Sequence, residues 1–201
     1  LDELTTAESV AARLSAKFPL SDEFRGLLAS MRIRRGSIHM RAGHYSLAEA
    51  DLQHAVAMFE AVLDQATDGA LSYRQLIKAL RMLGLLRDSY GQYVEAETAF
   101  RLAMKHTTAF AADYPESAAQ ARELDALPGE LATVVGHQGR ISEAIKELET
   151  WVTIAQESVG QQFTPVQQLR LLHARCGLSQ LFIDGNQLTE AREQVEIAAL
   201  I

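Results

Sequence analysis

Apolar residues recur along this chain at helical spacing, and one small/large/small order appears four times. The stripes are Ala48/Leu52/Ala55, Ala96/Phe100/Ala103, Ala144/Leu148/Trp151 and Ala191/Val195/Ala198. Positions i, i+4 and i+7 share one face of an α-helix, and small residues flanking a large one leave a strip that a second helix can approach closely. The leading alanines lie 48, 48 and 47 residues apart. Each stripe follows a short polar stretch: Gly43-His44-Tyr45, Gly91-Gln92-Tyr93, Gly139-Arg140-Ile141 and Gly185-Asn186-Gln187, whose glycines are 48, 48 and 46 apart. Seven residues before the first two stand Gly36 and Gly84; the third unit has Ala132 there, and the fourth has Gly177 or Ser179 nearby. A glycine inside a helix costs about 1 kcal/mol against alanine, so close helix–helix contact is its natural reason.

The pattern therefore predicts a repeat of helix, tight turn, helix. First helices are expected over 21–42, 71–90, 116–138 and 164–184, and second helices over 46–66, 94–112, 142–159 and 188–200. Pro19, Pro115 and Pro165 sit where first helices would begin, a position that tolerates proline. Ser46…Glu49, Ser72…Gln75 and Thr164…Gln167 read as capping boxes, and Asp68-Gly69 and Gly160 as helix stops. Pro128-Gly129 should interrupt the third first helix, because Pro128 cannot donate to the Leu124 carbonyl. Aligning Phe18-Pro19 with Tyr114-Pro115 makes residues 1–17 the tail of a preceding second helix. Units then span 18–66, 67–113, 114–160 and a shortened 161–201. The chain opens at Leu1 inside an amphipathic pattern and so reads as a piece of a longer protein.

Leu83-Gly84, Tyr90-Gly91, Ala96, Phe100 and Ala103 resemble the signature of the tetratricopeptide (TPR) repeat. The first unit matches it through Gly36, Gly43, Ala48, Leu52 and Ala55; the third (Gly139, Ala144, Leu148) and fourth (Ala191, Val195, Ala198) are degenerate. The resemblance implies an all-α, right-handed solenoid of antiparallel helical hairpins. The usual TPR unit has about 34 residues, so each helix here would be roughly two turns longer. Phe18-Pro19…Phe24-Arg25, Tyr73-Arg74 and Tyr114-Pro115…Ala121-Arg122 also resemble the C-terminal TPR regions of large bacterial serine/threonine protein kinases, notably planctomycete ones.

Composition agrees with helix: 201 residues, 48% hydrophobic, 6% aromatic and only four prolines. A net charge of −7 argues against general nucleic-acid affinity. No apolar run approaches a membrane span. The single cysteine, Cys176, cannot form an internal disulfide, so nothing points to an oxidising compartment and the cytoplasm is the expected location. None of the six histidines has a partner at metal-ligand spacing. Phosphate-cradling, dinucleotide and nucleophile-elbow motifs are absent, so no cofactor and no catalysis are expected. Cys176 reads as a packed thiol, Glu143, Glu147 and Glu149 as a solvated face, and Trp151 as a bulky plug in place of a small residue.

Charge is segregated. The expected first helices of units one and two carry Arg25, Arg32, Arg34, Arg35, Arg41, Arg74, Lys78, Arg81 and Arg87, whereas second helices are acidic, with Glu49, Asp51, Glu60 and Asp64 in the first. In TPR arrays the first helices line the concave groove. The resemblance thus implies a positive groove formed by Ile33, Ser37, Met40, Arg41, Lys78, Arg81, Leu85 and Asp88, suited to an acidic peptide or protein segment. The alternative is that these arginines pair with acidic neighbours across helices. The groove asparagines of the carboxylate clamp in chaperone-binding TPR domains are not matched, with Ser37 and Leu85 in their places. The expected function is a non-catalytic protein-interaction scaffold; the alternatives are a regulatory region of a signalling kinase and a self-association module.

Overall fold

The computed structural model describes residues 22–63, 69–119, 126–157 and 165–200, together with residues 6, 9, 10, 13, 16 and 17, which are helical. Phe18-Pro19, Asp68, Leu124, Gly160 and Thr164 lie outside the described residues. The helices are α1 (Asp22–Arg41), α2 (Tyr45–Leu63), α3 (Ala70–Ser89), α4 (Tyr93–Asp113), α5 (Pro115–Ala119), α6 (Leu127–His137), α7 (Ile141–Glu157), α8 (Pro165–Asp184) and α9 (Leu188–Ala198). They form an all-α solenoid of four hairpins: α1/α2, α3/α4, α6/α7 and α8/α9.

One hydrogen-bond pattern closes all four tips. The N–H of Gly43 donates to the Met40 carbonyl and that of His44 to the His39 carbonyl, at 3.1 and 2.9 Å. The same pair recurs at Gly91/Gln92, Gly139/Arg140 and Asn186/Gln187. This is the Schellman closure, which needs a left-handed residue just past the helix. Gly43, Gly91 and Gly139 supply it with φ of 75°, 73° and 78°, and Asn186 supplies it in the fourth tip with φ 58°. The expected tip glycine, Gly185, is therefore one position out of register. The true spacing of the last tip is 186−139 = 47, matching the alanines. Asparagine is the residue after glycine that best tolerates this conformation.

The expected capping boxes at Ser46 and Ser72 do not form, because both helices begin earlier. The Ala48 N–H already bonds the His44 carbonyl at 3.0 Å, and the Tyr73 N–H bonds the Gly69 carbonyl at 2.8 Å. At the start of α3 the Gly69 N–H instead donates to the Tyr114 hydroxyl at 2.7 Å. The third first helix is interrupted as expected, by a turn at Ala126, and α6 begins at Leu127 with Pro128 in its first turn. A first-turn position suits proline, whose N–H would have no intrahelical partner there.

The glycines inside the first helices face the large residue of the following stripe. A Cβ on Gly36 would stand 3.2 Å from Leu52, and one on Gly84 would stand 2.8 Å from the Phe100 ring. Ala48, Ala55, Ala96 and Ala103 are fully buried beside them. Leu52 also joins Leu83 and Leu86 of α3 in one apolar cluster, so the large residue is held by its own hairpin and the next. Val195 departs from this pattern: it is 56% exposed, whereas Leu52 and Phe100 are 0% and Leu148 is 1%. Among the described residues no helix follows α9 to cover it. Cys176 is exposed rather than packed, because the buried side of α8 runs through Leu171, Ala174, Arg175 and Leu178 and leaves it out.

First helices also pack on one another, α1 on α3, α3 on α6 and α6 on α8, while each second helix packs mainly on the first helices of its own and the next hairpin. The more closely spaced row lies on the inside of the curve, so the first helices form the concave wall. Gly84→Ala should destabilise by about 1–3 kcal/mol, since the buried Phe100 ring cannot yield. Gly129→Ala, where a Cβ meets nothing within 4 Å, should be neutral or stabilise by about 0.4–1 kcal/mol. Denaturant unfolding of the two variants checks this pair.

Candidate functional site

The concave wall is read from the repeat register. On α1, Ala29, Ile33 and Gly36 face the core, while Arg32 and Arg35 turn to Asp51 of α2. With 3.6 residues per turn, Ser30, Arg34, Ser37 and Arg41 share the remaining side, and the Arg34 position lies at its edge toward the preceding hairpin, where its equivalents Met82, Glu130 and Gly177 meet the Leu52 cluster, Arg81 and Leu148. Adding 48, 96 and 143 gives Lys78, Met82, Leu85 and Ser89 on α3; Ala126 with Glu130, Thr133 and His137 on α6; and His173, Gly177, Gln180 and Asp184 on α8. Arg34, Arg41, Lys78, Thr133, His137, His173, Gln180 and Asp184 are all exposed.

The expected groove residues divide on this surface. Arg41 and Lys78 are exposed on it, and among the described residues neither has a hydrogen-bond or ion-pair partner. Ser37 is half-buried on the same side. Ile33 is not a groove residue: it is 2% exposed, because its position points along the stack and α3 lies over it. Met40 packs into the Leu52/Leu83/Leu86 cluster and Leu85 packs against the main core. Arg81 points along the stack like Ile33 and meets Glu130 of α6. Its Nε donates to Glu130 Oε2 at 2.7 Å, and its Nη2 donates to the other oxygen. Asp88 likewise meets His137, Oδ1 to Nδ1 at 2.8 Å. The positive groove is therefore reduced at Arg81 by an internal carboxylate.

Sequence reasoning missed Glu130 and His137. The repeat period itself carries the signal, since 130−34 and 137−41 both equal 96, twice 48.

Other cations hold the hairpins together. Arg35 and Arg32 converge on Asp51, which is 4% exposed. The equivalent positions in the fourth hairpin are Arg175 and Gln194, joined at 2.7 Å. Arg87 of α3 donates to Glu49 of α2 at 3.0 Å. Away from the concave wall, Glu97 of α4 accepts from Arg101, from Gln138 and from Arg140 across the hairpin junction. Burial pushes the Glu97 carboxyl up, but the hydrogen bonds from Gln138, Arg101 and Arg140 outweigh it and leave the pKa below its ordinary value of 4.5. Glu143 and Glu147 complete this network through Arg140 and Arg101.

Lowered in the folded state, Glu97 contributes stability that is fully present above pH 4.5 and is lost as pH falls through its lower folded value. Glu97→Gln should flatten this acid limb of the stability–pH curve while leaving the near-neutral limb parallel to that of the unaltered protein. Chemical denaturation over a pH series reads the difference.

The chain superposes on nearly identical TPR-like repeats from Podosopora anserina assigned to a kinesin light chain. The TM-score is 0.61 at 19% identity, over 99% of this chain and 85% of that one. A point variant of those repeats gives 0.61 at 19% identity, over 99% and 84%. BtubC (BKLC) from P. vanneervenii gives 0.46 at 14% identity, over 98% and 87%. No family model matches the chain, and no curated protein matches it significantly. At these identities the likeness is one of fold: the chain has the TPR-like repeat fold. The likeness to bacterial kinase regions gains nothing from the comparisons. Among the described residues no helix is long and apolar enough to cross a membrane.

Proposed function

We propose that this TPR-like solenoid is a non-catalytic protein-interaction scaffold that holds an acidic peptide or protein segment on the first helices of its first two hairpins. The observation that carries the reading is the pair Arg41 and Lys78. Both are exposed on first helices, and neither has a carboxylate partner among the described residues. In a chain of net charge −7, exposed cations without partners give a carboxylate-bearing ligand separate points of attraction along the first helices. Ser30 and Ser37 on the same side add hydroxyl donors and acceptors. The fold supports the reading, since arrays of this kind present extended concave surfaces to protein segments.

Lys78→Glu and Arg41→Glu should each weaken binding of a fluorescein-labelled peptide of alternating glutamate and alanine about 3- to 10-fold, as expected for reversing one exposed charge. Helicity should be unchanged, because neither side chain is in the core, and added salt should weaken binding because these charges are open to solvent. Fluorescence anisotropy and circular dichroism check both points. Equal affinity in the unaltered and reversed proteins contradicts the reading.

A second reading, self-association, is favoured by the exposed apolar face of α9, where Val195 is 56% and Leu188 63% exposed. A sedimentation coefficient that rises with concentration, and ceases to do so in Val195→Glu, would support it; concentration independence would refute it.

A further inference from the structure

We propose that a cavity between α4, α6 and α7, away from the concave wall, is a binding site for a small aromatic anion. The site shares no residue with the acidic-segment reading, so neither depends on the other. The space measures about 610 Å³ and lies between Met104 of α4, Pro128 and Leu131 of α6, and Trp151 of α7. Small-molecule sites are typically of this size, with an apolar lining and a few polar groups at fixed points.

Trp151 is the side chain that sets this space apart. It holds the stripe position of Ala55 and Ala103, which are fully buried. An indole is too large to be enclosed as they are, and it stays half-buried. The helix beneath it is also short: α6 has 11 residues against 20 in α1, α3 and α8, and its first turn, at Pro128, borders the cavity. Trp151 and Pro128 border a second, smaller space of about 310 Å³ toward α8. The indole thus stands beside unfilled space in two directions. A ring without close neighbours forfeits dispersion contacts, and a flat apolar ligand lying against it restores them.

The rim selects the charge of that ligand. Arg101 is engaged by Glu97 and Glu147, and Glu143 by Arg140, so these groups compensate one another. Lys146 also lines the cavity. It is exposed and has no hydrogen-bond or ion-pair partner among the described residues. The uncompensated charge at the mouth is therefore an ammonium. It attracts a carboxylate, sulfonate or phosphate on a ligand whose rings lie against Trp151.

Trp151 is the chain's only tryptophan, so its emission reports on this cavity. The probes are 8-anilinonaphthalene-1-sulfonate and N-phenyl-1-naphthylamine, the same rings without the sulfonate, each titrated into the whole chain. The sulfonate should quench Trp151 saturably. Lys146→Glu should weaken its binding about 3- to 10-fold and change that of the neutral probe by less than about 2-fold. Thr150 is exposed and lines the cavity. Thr150→Phe should fill part of the space and weaken both probes by about 10-fold or more. Thermal melts followed by circular dichroism confirm that each variant is folded; should Thr150→Phe fold poorly, Lys146→Glu at its exposed position decides. The proposal is overturned if the sulfonate does not quench Trp151, or if Lys146→Glu leaves it unaffected or weakens both probes equally. It is overturned equally if folded Thr150→Phe leaves both probes unaffected, which would put them on another apolar surface such as that of α9.

Discussion

Two helices of a hairpin can lie this close only where one of them lacks a side chain and the other fills the space. Gly36 receives Leu52, and Gly84 receives the Phe100 ring. The residues on either side, Ala48, Ala55, Ala96 and Ala103, are small and fully buried, so nothing holds the helices apart. Each large residue then bears on the next hairpin as well: Leu52 meets Leu83 and Leu86, and Leu148 approaches Gly177. One local constraint thus sets both the closure of a hairpin and its spacing from its neighbour. The row of first helices, and whatever charges it carries, follows from that spacing.

Much of this architecture is legible in the residues because it repeats. The stripe alanines, the tip glycines and the glycines seven residues before them all obey one period, and the helix boundaries they predict lie within a few residues of the observed ones wherever those are described. The departures have local causes. Gly185 looks like the fourth tip, yet Asn186 takes the left-handed position, because the last unit is one residue shorter and its alanine already shows that. Ser46 and Ser72 resemble caps, but the Schellman turn at His44 and the Tyr114 hydroxyl at Gly69 satisfy those helix starts a few residues earlier. Ile33 has the position of Arg81 but the side chain of a core residue, and the core takes it.

The candidate site was harder to read, since several charge pairs join residues on different helices, as Arg81 joins Glu130, 49 residues further on. Arg81 and Lys78 are three positions apart and equally basic in sequence. One meets Glu130 at the stacking face, while the other, rotated toward the concave side, has no partner among the described residues. Arg32, Arg35, Arg87, Arg101 and Arg140 are likewise engaged by Asp51, Glu49, Glu97, Glu143 or Glu147. Those pairs hold hairpin to hairpin, and breaking a part-buried one leaves its partner poorly solvated. Arg41 and Lys78 have no such partner among the described residues, and the proposed reading gives them to a ligand.

On the proposed reading, an acidic segment lies across the first helices of the first two hairpins. Amide chemical shifts of the isotope-labelled protein, followed while the glutamate–alanine peptide is added, test this most directly. The expected result is a set of shifts concentrated on α1 and α3, around Ser37, Arg41 and Lys78, with small ones on α8. Shifts centred on the second helices, or spread evenly along all four first helices, would contradict it.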